Sequence, residues 1–159
     1  VALRLARYTT GPNLIVAALL HDTIEDTPYT LQAIAREFGT DVAEMVDFLT
    51  EDKSITDWAE RKQKAIEKAA QNRTTLALKA FDALSNMHDL YQNLAQYGDS
   101  FWENFHAPKE MELRYFQIIL EKAKDELPTD VVVDYVSVLK DLEHANTNIP
   151  LIELGMKTA

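Results

Sequence analysis

One stretch of the sequence, LIVAALLHDTIEDT at residues 14–27, passes from a continuous apolar run directly into an imidazole and three carboxylates. A helix that is apolar on all sides is buried on all sides, so the polar residues after it emerge at the edge of the core. His21, Asp22, Glu25 and Asp26 therefore need partners, because a carboxylate taken out of water without one is costly. The pattern predicts a site for a charged ligand.

The spacing of these four residues indicates which ligand would suit them. On a continuous helix over 12–26, positions four apart share a face, so His21 would lie over Glu25 and Asp22 over Asp26. The two aspartates would repel each other, and acids in the last turn oppose the helix dipole. A divalent cation reverses both effects, and imidazole beside carboxylate suits Zn, Mn or Fe better than Ca or Mg. The alternative is a His-Asp pair on a solvated helix face.

A second acid interrupts an apolar helix in LALKAFDALSNMHDL, residues 76–90. Asp82 has apolar neighbours, and Asn86 lies one turn later on the same face. An unpaired carboxylate near the core is costly, so we predict that Asp82 is a metal ligand together with His21 and Asp22. Asn86 can orient that carboxylate or hold substrate, because its amide both donates and accepts hydrogen bonds. The alternative is that Asp82 bonds to a structural partner.

The elements that must position these residues are predicted to be helices. Apolar residues recur at helical spacing nearly everywhere, and the chain has only 4 Gly and 5 Pro to interrupt them. Thr30 is predicted to cap a helix that Gly39 ends, Asp41 to cap the next one, and Gly98 to end the long central helix. The fold class is therefore all-α, a compact multi-helix domain. The predicted helices cover residues 1–8, 12–26, 30–38, 41–50, 56–71, 74–97, 108–126 and 129–145.

Composition excludes several classes of partner. The chain has 26 acidic and 16 basic residues, a formal net charge of −10, which would repel nucleic acid. The longest apolar run, residues 14–20, is far shorter than the roughly 20 residues that span a bilayer, so no membrane is expected. Cys is absent, which excludes disulfides and thiolate sites and fits a cytoplasmic location. No repeat or linker divides residues 1–159, so we predict a single domain.

The order of these motifs resembles the HD superfamily of metal-dependent phosphohydrolases, in which a lone His, an adjacent His-Asp pair and a distant Asp lie on helices. The pair is His21-Asp22 and the distant residue is Asp82. The form H-D-x-x-E-D, completed here by Glu25 and Asp26, is similar to RelA/SpoT-type (p)ppGpp hydrolases and their stand-alone small alarmone hydrolase relatives.

Three further stretches support the resemblance: FGTDVAEMVDFLTEDK at residues 38–53, the Glu60-Arg61-Lys62 triplet, and a K-x-x-D-x-L-x-N-M pattern that begins at Lys79. The resemblance covers about residues 1–125, and the C-terminal part at 128–159 is unassigned.

The resemblance implies a divalent metal, most commonly manganese, with Zn, Fe or Mg as alternatives. It assigns Glu25 and Asp26 to water activation and proton transfer, which a metal centre makes feasible near neutral pH. Arg61 and Lys62 would then meet the phosphates of a small nucleotide, the alternative being that they are exposed helix charges. The implied activity is removal of the 3′ pyrophosphate of (p)ppGpp or a related nucleotide.

Two other functions stay open from the sequence. The same metal chemistry would serve hydrolysis of nucleoside monophosphates or other phosphate esters. A non-catalytic HD module that binds nucleotide is the third possibility. The oligomeric state is not indicated.

Some positions depart from the family pattern. The opening Val1-Ala2-Leu3-Arg4-Leu5-Ala6 resembles the continuation of the motif H-P-x-x-V-A that carries the family's first histidine, so we expect that histidine just before Val1 and an N-terminally incomplete domain.

Phe81, where the family has a small residue, can reshape the base pocket, and Ser85 and His88 also differ from the pattern. His88 is six residues after Asp82 and is expected to point elsewhere. We predict that His106 and His144 are structural or exposed.

Overall fold

The computed structural model describes residues 1–144, which form α-helices and two short 3₁₀ helices and contain no strand. The predicted all-α class is confirmed. Predicted residue 145 of the last helix, and the rest of the predicted domain as far as 159, lie outside the described residues. The helices are α1 Ala2–Leu5, α2 Pro12–Leu20, α3 Thr23–Asp26, α4 Leu31–Phe38, α5 Thr40–Leu49, α6 Trp58–Ala69, α7 Arg73–Tyr97, α8 Lys109–Ala123 and α9 Thr129–His144, with 3₁₀ turns at Asp99–Asn104 and Lys124–Glu126.

The long helix α7 is the centre of the fold. It packs against α1, α5, α6, α8 and α9, while α2 and α4 pack on α5. Its buried residues include Leu84 and Met87, both fully inaccessible to solvent, which explains why apolar residues recur on several of its faces. A polar side chain on the buried faces of α7 must face a cleft or a partner, because burial without one is costly. No helix within residues 1–144 is long and apolar enough to cross a membrane.

The capping predictions are mostly confirmed. The Thr30 side chain accepts a hydrogen bond from the Ala33 N–H at 3.2 Å, Gly39 ends α4 with φ 97°, and Gly98 ends α7 with φ 73°. The prediction that Asp41 caps α5 is wrong. Gly39 both ends α4 and precedes α5, so α5 begins at Thr40 and Asp41 already lies within its first turn.

The prediction of one continuous helix over 12–26 is also wrong. Helix α2 ends at Leu20, and the one-turn helix α3 begins at Thr23, after Asp22 with φ −95° and ψ −2°. A continuous helix would have placed Glu25 and Asp26 in its last turn, where their charges oppose the helix dipole. The break reduces the helix that ends at Asp26 to a single turn and puts His21 and Asp22 at the junction.

Candidate active site

A cleft of about 470 Å³ contains all the predicted site residues except Asp26. Its volume lies within the usual range for small-molecule sites. The predicted residues that line it are His21, Asp22, Glu25, Arg61, Lys62, Asp82 and Asn86. Further lining residues that carry polar groups or aromatic rings are Glu51, Trp58, Lys79, Asp89, Asn93, Phe101, Asn104, Phe105, His106, Glu112, Tyr115 and Phe116.

The imidazole of His21 is the point at which the two predicted carboxylates meet. Its Nε2 lies 2.9 Å from Asp22 Oδ2 and 3.2 Å from Asp82 Oδ1. Its Nδ1 is 3.0 Å from the Ala18 carbonyl oxygen, which accepts a hydrogen bond when Nδ1 carries the proton. That contact orients the ring and leaves Nε2 facing the carboxylates, which is the arrangement found around metal-binding histidines.

Charge in this cluster favours a cation at Nε2. Burial alone would lower the pKa of His21, but hydrogen bonds to Asp22 and Asp82 and their negative charges raise it to about 10. The pKa of Asp22 is lowered, chiefly by its hydrogen bond with His21. Two carboxylates and one imidazole nitrogen therefore stabilise one positive charge between them.

Asp82 lies on α7 with its side chain 16% exposed, and Asn86 Nδ2 donates to its Oδ1 at 3.2 Å. This is the orienting contact that the sequence suggested. The two carboxylates contact the ring nitrogen directly, and within residues 1–144 no group of three or more His, Cys, Asp or Glu has the spacing of a formed metal site. One imidazole nitrogen and two carboxylates are donor types that fit a divalent transition metal. Nε2 must first lose its proton before it can bind such an ion.

Glu25 and Asp26 are placed differently. Glu25 is 16% exposed, lines the cleft, and accepts a hydrogen bond at Oε1 from the Glu51 N–H at 2.9 Å. Burial raises the pKa of Glu25, and the negative charge of Glu51 raises it further. The hydrogen bond from the Glu51 N–H lowers it, but the net shift is upward. Asp26 is 69% exposed, does not line the cleft, and lies 3.6 Å from Lys53 Nζ.

The predicted pairing of His21 with Glu25 depended on a continuous helix, and the break between α2 and α3 replaces it with contacts of His21 to Asp22 and Asp82. Asp22 and Asp26 stay one helical turn apart, because the Asp26 N–H donates to the Asp22 carbonyl oxygen at 3.0 Å.

Arg61 and Lys62 are not exposed helix charges, because their side chains are 21% and 23% exposed and face the cleft. Arg61 Nε lies 3.3 Å from Glu51 Oε2, and Lys62 Nζ donates to Glu51 Oε1 at 2.7 Å. The sequence did not indicate that Glu51 and nearby Lys79 line the cleft. Both belong to stretches that carry the family resemblance, but nothing in their spacing indicated that they meet.

The lining of the cleft also includes aromatic rings and a buried acid that the sequence did not indicate. Lys62 Nζ lies 4.9 Å from the centre of the Tyr115 ring and 5.9 Å from that of Trp58. Glu112 is only 7% exposed, and no ion pair of its carboxylate is found among residues 1–144. Burial raises the pKa of Glu112, the Lys62 charge opposes the rise, and the Glu51 charge adds to it.

Glu112→Gln is expected to raise the free energy of unfolding at pH 7 by about 1 kcal/mol, because the amide removes a charge that burial disfavours. A carboxyl with a raised pKa in the fold stabilises the protein below its unfolded pKa, and this stabilisation is lost as pH rises through the folded pKa. The difference in the free energy of unfolding between the variant and the wild type should therefore grow as pH rises from the unfolded pKa of Glu112 to its folded pKa. Urea unfolding at several pH values measures it. Glu110→Gln, an exposed position on the same helix, should change stability little, and equal behaviour of the two variants would contradict the expectation.

Of the remaining residues that the sequence singled out, Phe81, His88 and His144 lie outside the lining of the cleft and His106 belongs to it. Phe81 is buried and its ring packs 5.6 Å from that of Tyr8, so it does not line the cleft as the sequence suggested. His88 points elsewhere as predicted, with Nε2 3.0 Å from Asp134 Oδ1. His144 is exposed as predicted, and so is His106, although His106 lies at the rim of the cleft.

Comparison with known proteins gives consistent matches. A sequence model of the HD domain family matches residues 1–97. A guanosine-3′,5′-bis(diphosphate) 3′-pyrophosphohydrolase of Drosophila melanogaster is 40% identical over 85 residues, which is 53% of this chain and 47% of that protein. The chain spans less than half the length of the curated relatives it matches.

Two solved structures are similar to most of the chain. The Listeria monocytogenes EGD-e protein lmo0812 superposes with a TM-score of 0.75 and 31% identity, over 87% of this chain and 88% of that one. A metazoan orthologue of SpoT that hydrolyses ppGpp superposes with a TM-score of 0.64 and 27% identity, over 87% of this chain and 74% of that one. The similarity therefore extends beyond the residues that the family model matches.

Proposed function

Because this chain belongs to the HD domain family, we propose that it is a metal-dependent phosphohydrolase that removes the 3′ pyrophosphate of (p)ppGpp or a related small nucleotide. The observation that carries the proposal is the convergence of Asp22 and Asp82 on His21 Nε2, at 2.9 and 3.2 Å, within a cleft that also holds cationic side chains. The activity named for the Drosophila relative supports the choice of substrate. The expected cytoplasmic location stays part of the proposal.

We assign the metal to His21, Asp22 and Asp82, with manganese as the proposed ion and Zn, Fe or Mg as alternatives. A divalent cation bound there would supply Lewis acidity and an activated water near neutral pH. The Ala18 carbonyl orients His21, and Asn86 orients Asp82, so the donors are held before the ion arrives.

The remaining roles fall to groups around this cluster. Glu25 is the proposed proton acceptor, since its raised pKa makes it a stronger base and the Glu51 N–H fixes its carboxylate. Asp26, which is exposed and lies outside the lining of the cleft, is proposed to assist proton transfer. Arg61 and Lys62 are proposed to bind phosphate oxygens, and Asn86 is proposed to contact substrate as well as Asp82.

A product assay tests this function. With manganese, the chain is expected to release pyrophosphate from (p)ppGpp, measured by separating the products, and to leave nucleoside monophosphates unchanged. Orthophosphate release from monophosphates would favour the broader phosphohydrolase function instead. Nucleotide binding without any product would indicate a non-catalytic module and would overturn the proposal.

A further inference from the structure

Lys79 is a largely buried residue whose ammonium makes no hydrogen bond within the described part of the chain, residues 1–144. It lies on α7, is 5% exposed, and lines the cleft. The carboxylate oxygen within ion-pair distance, Glu51 Oε1, is 3.9 Å from its Nζ, which is too long for a hydrogen bond. An ammonium has three N–H donors. Within residues 1–144, the fully buried side-chain polar atom that lacks a partner is Trp102 Nε1, so solvent in the cleft reaches the Lys79 ammonium. Its donors are therefore available to an anion that enters the cleft.

Glu51 is the anion that Lys79 shares with two other cations. Lys62 Nζ lies 2.7 Å and Arg61 Nε 3.3 Å from its carboxylate, which is 9% exposed. Burial would raise the pKa of Glu51, but the charge and hydrogen bond of Lys62, with the charges around it, lower the pKa, so the group is ionised at neutral pH. Three cations therefore surround one carboxylate, in a cleft that is also lined by the carboxyl groups of Glu25 and Glu112.

Both paired cations keep free donors for a further anion. Arg61 uses Nε for Glu51 and one Nη for the Ile55 carbonyl oxygen, out of five N–H groups. Lys62 uses one of its three for Glu51. A phosphate or diphosphate has the same kind of acceptor oxygen as the Glu51 carboxylate, in greater number and with more charge.

We propose that Arg61, Lys62 and Lys79 form one subsite for a diphosphate group, and that the Glu51 carboxylate occupies it in the free protein and is displaced when diphosphate binds. This rests on the proposed function, because it assigns the phosphate-binding part of the same cleft. The Glu51 N–H bond to Glu25 is made by the main chain, so movement of the Glu51 side chain leaves the proposed proton acceptor in place.

The proposal predicts the sign of a substitution effect. Glu51→Gln removes the charge that competes with diphosphate for the three cations, while it keeps the size of the side chain and the main-chain N–H. Charges about 4 Å apart in a partly buried place interact strongly. The stronger attraction between the three cations and diphosphate should therefore outweigh the affinity that is lost because the cations are less well ordered. The affinity for diphosphate should therefore rise by about tenfold. Glu60→Gln is the matched control, because Glu60 also pairs with a lysine at 2.7 Å, Lys64, but its side chain is 55% exposed.

Calorimetric titration of inorganic pyrophosphate into the full chain, with a chelator present, measures these affinities. About tenfold tighter binding by Glu51→Gln, with no change in Glu60→Gln, is the expected result. Unchanged or weaker binding by Glu51→Gln would overturn the proposal. Lys79→Met should weaken binding by about tenfold, and unchanged binding by that variant would overturn the assignment of Lys79.

A measurement on the wild type covers the case in which Glu51→Gln does not fold. With carboxyl-¹³C glutamate, the Glu51 signal should shift as pyrophosphate saturates the protein, while the Glu60 signal stays fixed; a stationary Glu51 signal contradicts displacement. Neither experiment requires hydrolysis. If these effects were seen but no nucleotide were hydrolysed, the subsite would stand and the proposed function would fail.

Discussion

Asp82→Asn is expected to lower manganese-dependent hydrolysis by about 1,000-fold and manganese affinity by about 100-fold or more. The amide keeps the size of the side chain but removes one of the two negative charges that converge on His21 Nε2. It also leaves one acceptor oxygen in place of two, so the metal and the Asn86 amide, which donates to Asp82 at 3.2 Å, would compete for the same oxygen. Both effects act on the cluster to which we assign the metal. Manganese titration and single-turnover hydrolysis measure the two losses separately.

Asp89→Asn provides the control for this prediction. Asp89 lies on α7, lines the same cleft, and is exposed, so its substitution changes the net charge equally without touching the His21 cluster. Its manganese affinity should match that of the wild type. If Asp82→Asn bound manganese as tightly as Asp89→Asn, Asp82 would be a structural residue and the metal assignment would be wrong.

Glu25→Gln is expected to lower turnover by about 100-fold while manganese affinity changes by less than about threefold. The carboxylate does not contact His21, so the proposed ligands stay in place, but the group that accepts the proton is lost. In the wild type, activity should fall as pH drops through the pKa of Glu25, which burial raises above its ordinary value, because only the ionised form is a base. The variant should lack this fall.

Asp26→Asn should act in the same direction but less strongly, because Asp26 is 69% exposed and lies outside the lining of the cleft. Glu103→Gln, at an exposed position away from the cleft lining, is the control and should leave both quantities unchanged. A parallel loss of metal affinity and turnover in Glu25→Gln would place Glu25 among the ligands and end the proposed division of roles.

The sequence alone determined the features that depend on near neighbours. Helical periodicity predicted the all-α class, and the conformational freedom of Gly39 and Gly98 at positive φ predicted the ends of α4 and α7. The cost of burying an acid on an apolar helix singled out Asp82. Each of these effects acts over a few residues along the chain, so it can be read without knowledge of the packing.

Only the tertiary structure decided which side chains from different helices lie next to each other. The break at His21 and Asp22 conflicts with the local helical pattern, and contacts of these side chains with each other and with α7 accompany it. Glu51 follows α5, Arg61 and Lys62 lie on α6, and Lys79 lies on α7, so their meeting depends on how three helices pack. Electrostatic interactions depend on distance in space, and no periodicity along the chain reports the distance between helices.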